Sequence, residues 1–184
     1  TSTYNTAVGF QAGAAVTTGV NNTIIGSLAG DALTTGAQNT VLGTFALTTD
    51  DLGSYTTALG YNALSAQNYA TATDSYNTAV GGRAGQSVTT GIENTIFGGL
   101  AGDALTDADH NVAIGTHALS ADTLGSRSVA IGRAALQVQN FTTATNSYNT
   151  AVGHEAGAAV TTGQYNTIIG GLAGDAITTG NRNV

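Results

Sequence analysis

The chain alternates short apolar runs with longer stretches of Gly, Ala, Thr and Asn. A motif of two apolar residues, the second of them Val, Ile, Leu or Phe, followed by glycine recurs ten times. Counted in sequence positions, the spacings between successive glycines of this motif are 17, 17, 17, 21, 17, 17, 17, 21 and 17. Four units therefore form a 72-residue superrepeat, and the string YNTAVG stands at 4–9, 76–81 and 148–153. A fixed period of this kind is the sequence signature of a solenoid.

Each unit has the composition of short strands and turns. Glycine and β-branched residues dominate, and both are weak helix formers. A β-branched run between Asn and Gly predicts a strand of four or five residues, and a second short strand is expected around Ala12–Val16. A Thr-Thr-Gly turn, as at Thr17–Gly19, closes the unit. We call one such unit a rung; ten rungs stacked about 4.8 Å apart would span about 48 Å.

Equivalent positions of the rungs carry equivalent residues. Asn stands four residues before the motif glycine in eight of ten rungs, and Ala stands three residues after it in all ten. We expect Asn ladders and an apolar column along the stack. The predicted rung core is the residue before each glycine: Val8, Ile25, Leu42, Leu59, Val80, Phe97, Ile114, Ile131, Val152 and Ile169. The predicted rung turns, where the chain bends sharply, are the glycines themselves: Gly9, Gly26, Gly43, Gly60, Gly81, Gly98, Gly115, Gly132, Gly153 and Gly170.

The two residues before each glycine predict self-association. Neighbouring side chains of a strand point to opposite faces, yet both positions are apolar, as in Ile24-Ile25 and Val41-Leu42. One apolar side chain per rung must therefore point outward and form a stripe along the whole stack. Soluble proteins avoid such exposed stripes. We expect other copies of the chain to cover it, although the stripe does not fix their number.

Composition and net charge argue against two classes of function, nucleic-acid binding and membrane insertion. The net charge of −7, with four Arg and no Lys, argues against nucleic-acid binding. No apolar run is long enough to cross a bilayer, so no membrane insertion is expected in this segment. Residues 1–184 are interpreted as a single repeat domain with superrepeats at approximately 1–72, 73–144 and 145–184. The absence of Met suggests an internal fragment of a longer fibre.

Two motifs resemble known fibre repeats. SVAIG at 128–132 and NVAIG at 111–115 resemble the YadA-like head repeats of trimeric autotransporter adhesins. NTAVGxxAG and NTIIGGLAG resemble the repeat regions of bacteriophage tail fibres. The resemblance implies a left-handed parallel β-roll, three chains around one axis, and an extracellular shaft or head on a cell surface or virion tail. Its role would be a rigid spacer and attachment to a surface, with a glycan or protein receptor as partner. The 17-residue rung is longer than the usual adhesin rung.

The 21-residue rungs carry the main irregularity, at 67–76 and 139–148. Their four extra residues are expected to bulge from the stack. An aromatic ring beside amides suits sugar binding, so these loops offer a candidate glycan contact. The alternative is that the rings hold the loop against the roll or a neighbouring chain. The candidate contact residues are Tyr69, Asn68, Phe141 and Asn140.

The remaining titratable residues are interpreted as structural. No calcium-loop spacing surrounds the acids, which we interpret as solvated turn carboxylates. The histidines lack a catalytic or metal-binding pattern and are interpreted as surface residues. The acids in question are Asp31, Asp103, Asp175, Asp50, Asp51, Asp107 and Asp109, and the histidines are His110, His117 and His154.

The sequence therefore predicts no catalytic residue, no metal and no cofactor. It contains neither GxSxG nor a Walker lysine, and similar rungs do not form one asymmetric active site. Two alternatives stay open. Val8-Gly9-x-x-Ala12 fits one unit of a hexapeptide-type acyltransferase β-helix, although that fold needs three units per coil. The threonine content suggests an ice-binding solenoid, although most threonines fall in turns or beside Asn.

Overall fold

A computed structural model describes residues 3–184 of the chain. These residues form parallel strands stacked into a β-solenoid of ten rungs, and they contain no helix. The strands in chain order are β1 (Thr6–Val8), β2 (Thr23–Ile25), β3 (Thr40–Leu42), β4 (Gly53–Ser54), β5 (Thr57–Leu59), β6 (Thr73–Asp74), β7 (Thr78–Val80), β8 (Thr95–Phe97), β9 (Val112–Ile114), β10 (Gly125–Ser126), β11 (Val129–Ile131), β12 (Thr145–Asn146), β13 (Thr150–Val152) and β14 (Thr167–Ile169). The prediction of an all-β parallel solenoid is confirmed.

Ten of these strands form one sheet in which like positions pair with like. Ile24 of β2 is aligned with Val41 of β3, and Val41 with Ala58 of β5. The remaining strands form two short pairs, β4 with β6 and β10 with β12, beside the 21-residue rungs. Each rung is thus hydrogen-bonded to the rungs above and below it.

The second strand expected around Ala12–Val16 is absent, because this segment forms turns. Gln11 and Gly13 have φ angles of 53° and 60°, in the left-handed region, so the chain coils here instead of extending. The strands that do form are three residues long at most, shorter than predicted.

The interior of each rung is filled by a different column from the one predicted. The Asn four residues before the glycine is buried, as at Asn22 and Asn39. Because strand side chains alternate, the residue two before the glycine, such as Ile24, also points inward, and the residue directly before it points outward. The rung-core prediction is therefore wrong for its whole column, whose members are exposed or half-buried: Val8, Ile25, Leu42, Leu59, Val80, Phe97, Ile114, Ile131, Val152 and Ile169.

Residue sizes inside the stack are complementary. Some rungs have glycine four residues after the motif glycine and an apolar side chain three residues later, as at Gly85 and Val88. A Cβ on Gly85 would lie 2.9 Å from the Cδ2 atom of Leu64 in the preceding rung. The other rungs have leucine in place of that glycine, and a buried polar residue follows, as at Leu64 and Gln67. The superrepeat therefore places polar groups inside the solenoid at regular intervals.

The expected Asn ladder is confirmed. The backbone N–H of Asn22 donates to Oδ1 of Asn5 at 2.8 Å, and that of Asn39 donates to Oδ1 of Asn22 at 2.9 Å. The Nδ2 group of Asn22 also donates to the carbonyl of Gly36 at 2.9 Å. Thr56 and Ser128 interrupt the ladder. The Asn22 side chain thus satisfies two backbone groups of the next rung, which fixes the stacking register.

Candidate functional site

The loops of the 21-residue rungs fold back onto the solenoid. In the first loop, β6 pairs with β4, so that Thr73 is aligned with Gly53. In the second loop, β12 pairs with β10 in the same way. The tips of the two loops, 70–72 and 142–144, are exposed. Two residues of each loop are therefore paired with the preceding rung, which holds the loop against the solenoid.

The aromatic rings of the two loops, Tyr69 and Phe141, lie inside the solenoid. Tyr69 is 4% exposed and Phe141 is 5% exposed. The hydroxyl of Tyr69 donates to the carbonyl of Gly91 at 2.9 Å and accepts from Nδ2 of Asn77 at 3.1 Å. The glycan-contact prediction is therefore wrong for Tyr69 and Phe141, because a buried ring cannot stack on a sugar. The alternative, in which the rings hold the loops against the roll, is correct.

The amides of the predicted contact have separate environments. Asn68 is exposed, whereas Asn140 is half-buried and accepts from the hydroxyl of Thr123 at 3.1 Å. The predicted sugar contact requires an exposed ring beside the amide, and the neighbouring rings of Tyr69 and Phe141 are buried.

Replacing Tyr69 tests the anchoring role. Tyr69→Phe reproduces the residue found at Phe141 and should cost about 1 kcal/mol of unfolding free energy, for the lost hydrogen bonds. Tyr69→Ala should cost about 3 to 5 kcal/mol, because it leaves a cavity. Urea unfolding followed by circular dichroism measures both values. A cost below about 0.5 kcal/mol for Tyr69→Ala, the range of a surface substitution, would contradict the anchoring role.

A buried polar cluster lies behind the first loop. Nδ2 of Asn77 donates to Oε1 of Gln67 at 2.9 Å, and Nε2 of Gln67 donates to Oδ2 of Asp50 at 2.7 Å. Nε2 of Gln67 also donates to the hydroxyl of Thr56, which lies 2.7 Å from that of Ser75. All five side chains are fully buried. The hydrogen bonds run in one direction and end on the Asp50 carboxylate.

The second superrepeat contains an equivalent cluster. Nδ2 of Asn149 donates to Oε1 of Gln139 at 2.8 Å, and Nε2 of Gln139 donates to Oδ2 of Asp122 at 2.6 Å. Ser128 and Ser147 occupy the positions equivalent to Thr56 and Ser75. We did not predict either cluster. The available signal was the recurrence of Asp and Gln, one superrepeat apart, in a column that holds Leu, Val or Ile elsewhere.

Burial changes the acidity of these groups. It raises the pKa of the Asp50 and Asp122 carboxyls above the usual aspartate value of 3.8, although hydrogen bonds from Gln67 and Gln139 oppose the shift. Burial likewise raises the pKa of the Tyr69 phenol. The interpretation of Asp50 as a solvated turn carboxylate is therefore wrong, because its side chain is enclosed.

The raised pKa values give the stability a defined pH dependence. Between the unfolded-state pKa and the raised folded-state pKa, the folded chain binds more protons than the unfolded chain. The contribution of Asp50 and Asp122 to stability therefore falls as pH rises through that interval. We expect the thermal midpoint of the wild-type chain to fall relative to that of Asp50→Asn/Asp122→Asn as pH increases from about 4. A relative rise would contradict the raised pKa values.

The other acids and histidines lie at the surface or in partly buried turns. Asp31 accepts from the hydroxyl of Thr48 at 2.7 Å. Nε2 of His110 lies 3.3 Å from Glu93, and Nε2 of His154 lies 3.8 Å from Glu155. Within residues 3–184, no group of three or more His, Cys, Asp or Glu is arranged to hold a metal ion.

The outer face of the ten-stranded sheet is a continuous uncharged surface. Its first column is threonine in eight rungs, with Val112 and Val129 in the other two, and none of its side chains is buried. Its second column is the outward apolar residue before each glycine, and Leu42 and Phe97 are 50% and 53% exposed. None of the ten strands contains a charged residue, although the chain carries −7.

Comparisons with known proteins identify no relative: no family model, no curated protein and no solved structure matches this chain. Residues 3–184 contain no helix that is long and apolar enough to cross a membrane. The functional interpretation therefore depends on the surface and the buried clusters described above.

Proposed function

We propose that this chain is a non-enzymatic structural segment of a left-handed, homotrimeric extracellular fibre, such as a phage tail fibre or a bacterial surface adhesin. It would act as a rigid spacer and contribute to attachment. The observation that supports the proposal is the uncharged apolar column along all ten rungs. Three copies packed through this column would remove it from water, and charged side chains would remain on the outside.

The outer face of the ten-stranded sheet, called the strand face below, has dimensions that suit packing against copies of itself. Ten strands about 4.8 Å apart extend about 43 Å from first to last. One large apolar side chain per rung repeats along that length, so a partner with the same rung spacing can match every position. A second chain of the same sequence has this spacing. A closed ring of three such faces leaves no apolar column exposed.

Sedimentation velocity tests the proposal directly. One chain has a mass of 18.2 kDa, and the trimer has three times that mass. We expect the trimer at micromolar concentration, with the β-sheet circular dichroism signal of the folded chain. A stable, folded species at the mass of one chain would overturn the trimer.

The threonine column favours one second candidate, a surface that binds an ordered water lattice such as ice. Six threonines, from Thr6 to Thr95, form an aligned row on the outer face of the ten-stranded sheet, and Val112 and Val129 separate them from Thr150 and Thr167. This face would be exposed in a monomer and covered in a trimer. Thermal hysteresis from a folded monomer would favour the ice-binding function over the fibre.

A further inference from the structure

A surface groove beside Phe45 crosses the boundary between the first superrepeat and the second. The groove has a volume of about 440 Å³ and lies across the rungs of Gly43, Gly60 and Gly81. Its lining includes one ring, four hydroxyls and two side-chain amides, from Phe45, Thr48, Thr49, Ser65, Ser87, Asn62 and Gln86. None of its lining residues, which lie between 45 and 87, carries a charge.

Phe45, which lines the groove, packs against the ring of Tyr61. The rings of Phe45 and Tyr61 pack edge to face, with centroids 6.1 Å apart and planes at 79°. Phe45 is 36% exposed and Tyr61 is 49% exposed. The contact between the rings restrains their positions, and both keep apolar surface open to solvent.

The groove also offers hydrogen-bonding groups. Hydroxyl groups of Thr48 and Thr49 donate to Asp31 and to the carbonyl of Ser65, which leaves their oxygens able to accept. The side-chain amides of Asn62 and Gln86 make no hydrogen bond within residues 3–184. Each can therefore both donate to and accept from a ligand.

The fold does not require these side chains. At the equivalent places of the second superrepeat, Ala121, Ala134 and Ala158 replace Thr49, Asn62 and Gln86. His117 stands in place of Phe45, and Arg133 in place of Tyr61. The same rungs stack with either set, so these side chains can be replaced without loss of the fold.

We propose that the Phe45 groove binds a neutral sugar unit of an oligosaccharide. A ring face supports the apolar C–H side of a sugar, while hydroxyls and amides hydrogen-bond its hydroxyl groups. The uncharged lining favours an uncharged sugar over a sialic acid or a sulfated one. Because the groove is open and a single ring lines it, the dissociation constant is expected to be about 1 mM. The proposal does not depend on the trimer.

Saturation-transfer NMR with the whole chain tests the proposal, using lactose, maltose, cellobiose and diacetylchitobiose as probes. We expect transfer to the ring protons of at least one of these disaccharides. Thr49→Ala/Asn62→Ala/Gln86→Ala should weaken that binding at least about tenfold, and so should Phe45→Ala alone. The triple variant carries only residues that the chain already has at equivalent positions, so its circular dichroism should match that of the wild type.

The second superrepeat provides the matched control. His117→Ala/Ser120→Ala/Gln137→Ala removes the side chains at the places equivalent to Phe45, Thr48 and Ser65. This variant should bind the same disaccharide as well as the wild type. The proposal is overturned if no disaccharide receives saturation, or if the groove variants bind as strongly as the control.

Discussion

Gly26→Ala should destabilise the solenoid by about 3 kcal/mol or more. Two effects add at this position. The φ angle of Gly26 is +138°, which L side chains rarely adopt. A Cβ built there would lie 2.6 Å from the carbonyl oxygen of Gly43 in the next rung, so the rungs could not stay at their spacing. Thermal unfolding followed by circular dichroism measures the loss.

Two other glycines separate these effects. Gly170 has a φ of +125°, but its Cβ would meet only the Cβ of Ala173, at 3.7 Å. Gly170→Ala should therefore cost about 1 to 3 kcal/mol, from backbone strain alone. Gly82 has open space around it, and Gly82→Ala should change stability by less than about 0.5 kcal/mol. Equal losses in Gly26→Ala and Gly82→Ala would show that close stacking does not require the motif glycine.

Leu42→Glu/Phe97→Glu should convert the proposed trimer into single chains of 18.2 kDa. Both side chains stand half-exposed on the strand face of one chain, where a lone solenoid would tolerate a carboxylate. At a packed interface the same carboxylate would be removed from water without a partner, which is strongly unfavourable. Sedimentation velocity and thermal unfolding of the same samples give mass and stability together.

Val138→Glu is the matched control for this interface. Val138 is 42% exposed, close to the exposure of Leu42, but it follows β11 and does not lie on the strand face. It should keep the trimer and its thermal midpoint. If Leu42→Glu/Phe97→Glu also keeps the mass of the wild type, the strand face is not the contact between chains.

The buried polar clusters show where sequence reasoning stops. The recurrence of Asp50 and Gln67 at Asp122 and Gln139 is visible in the sequence, but their enclosure is not. Polar residues in a turn are usually solvated, and only the chain path shows that Leu64 and Gln67 both lie inside the solenoid. The sequence likewise does not reveal that the ring of Tyr69 is buried, and only the fold shows its enclosure.

The sequence by itself determined the period, the parallel stacking of like residues, the Asn ladder and the bend at each motif glycine. It could do so because a residue repeated in every rung meets its own copy in the next rung, and the consequences of that contact are local. The tertiary structure alone decided which of the two apolar columns is inside, since alternation fixes only that they differ. The buried Asn column sets the phase, so the interior holds Ile24 and Val41 while Ile25 and Leu42 face outward.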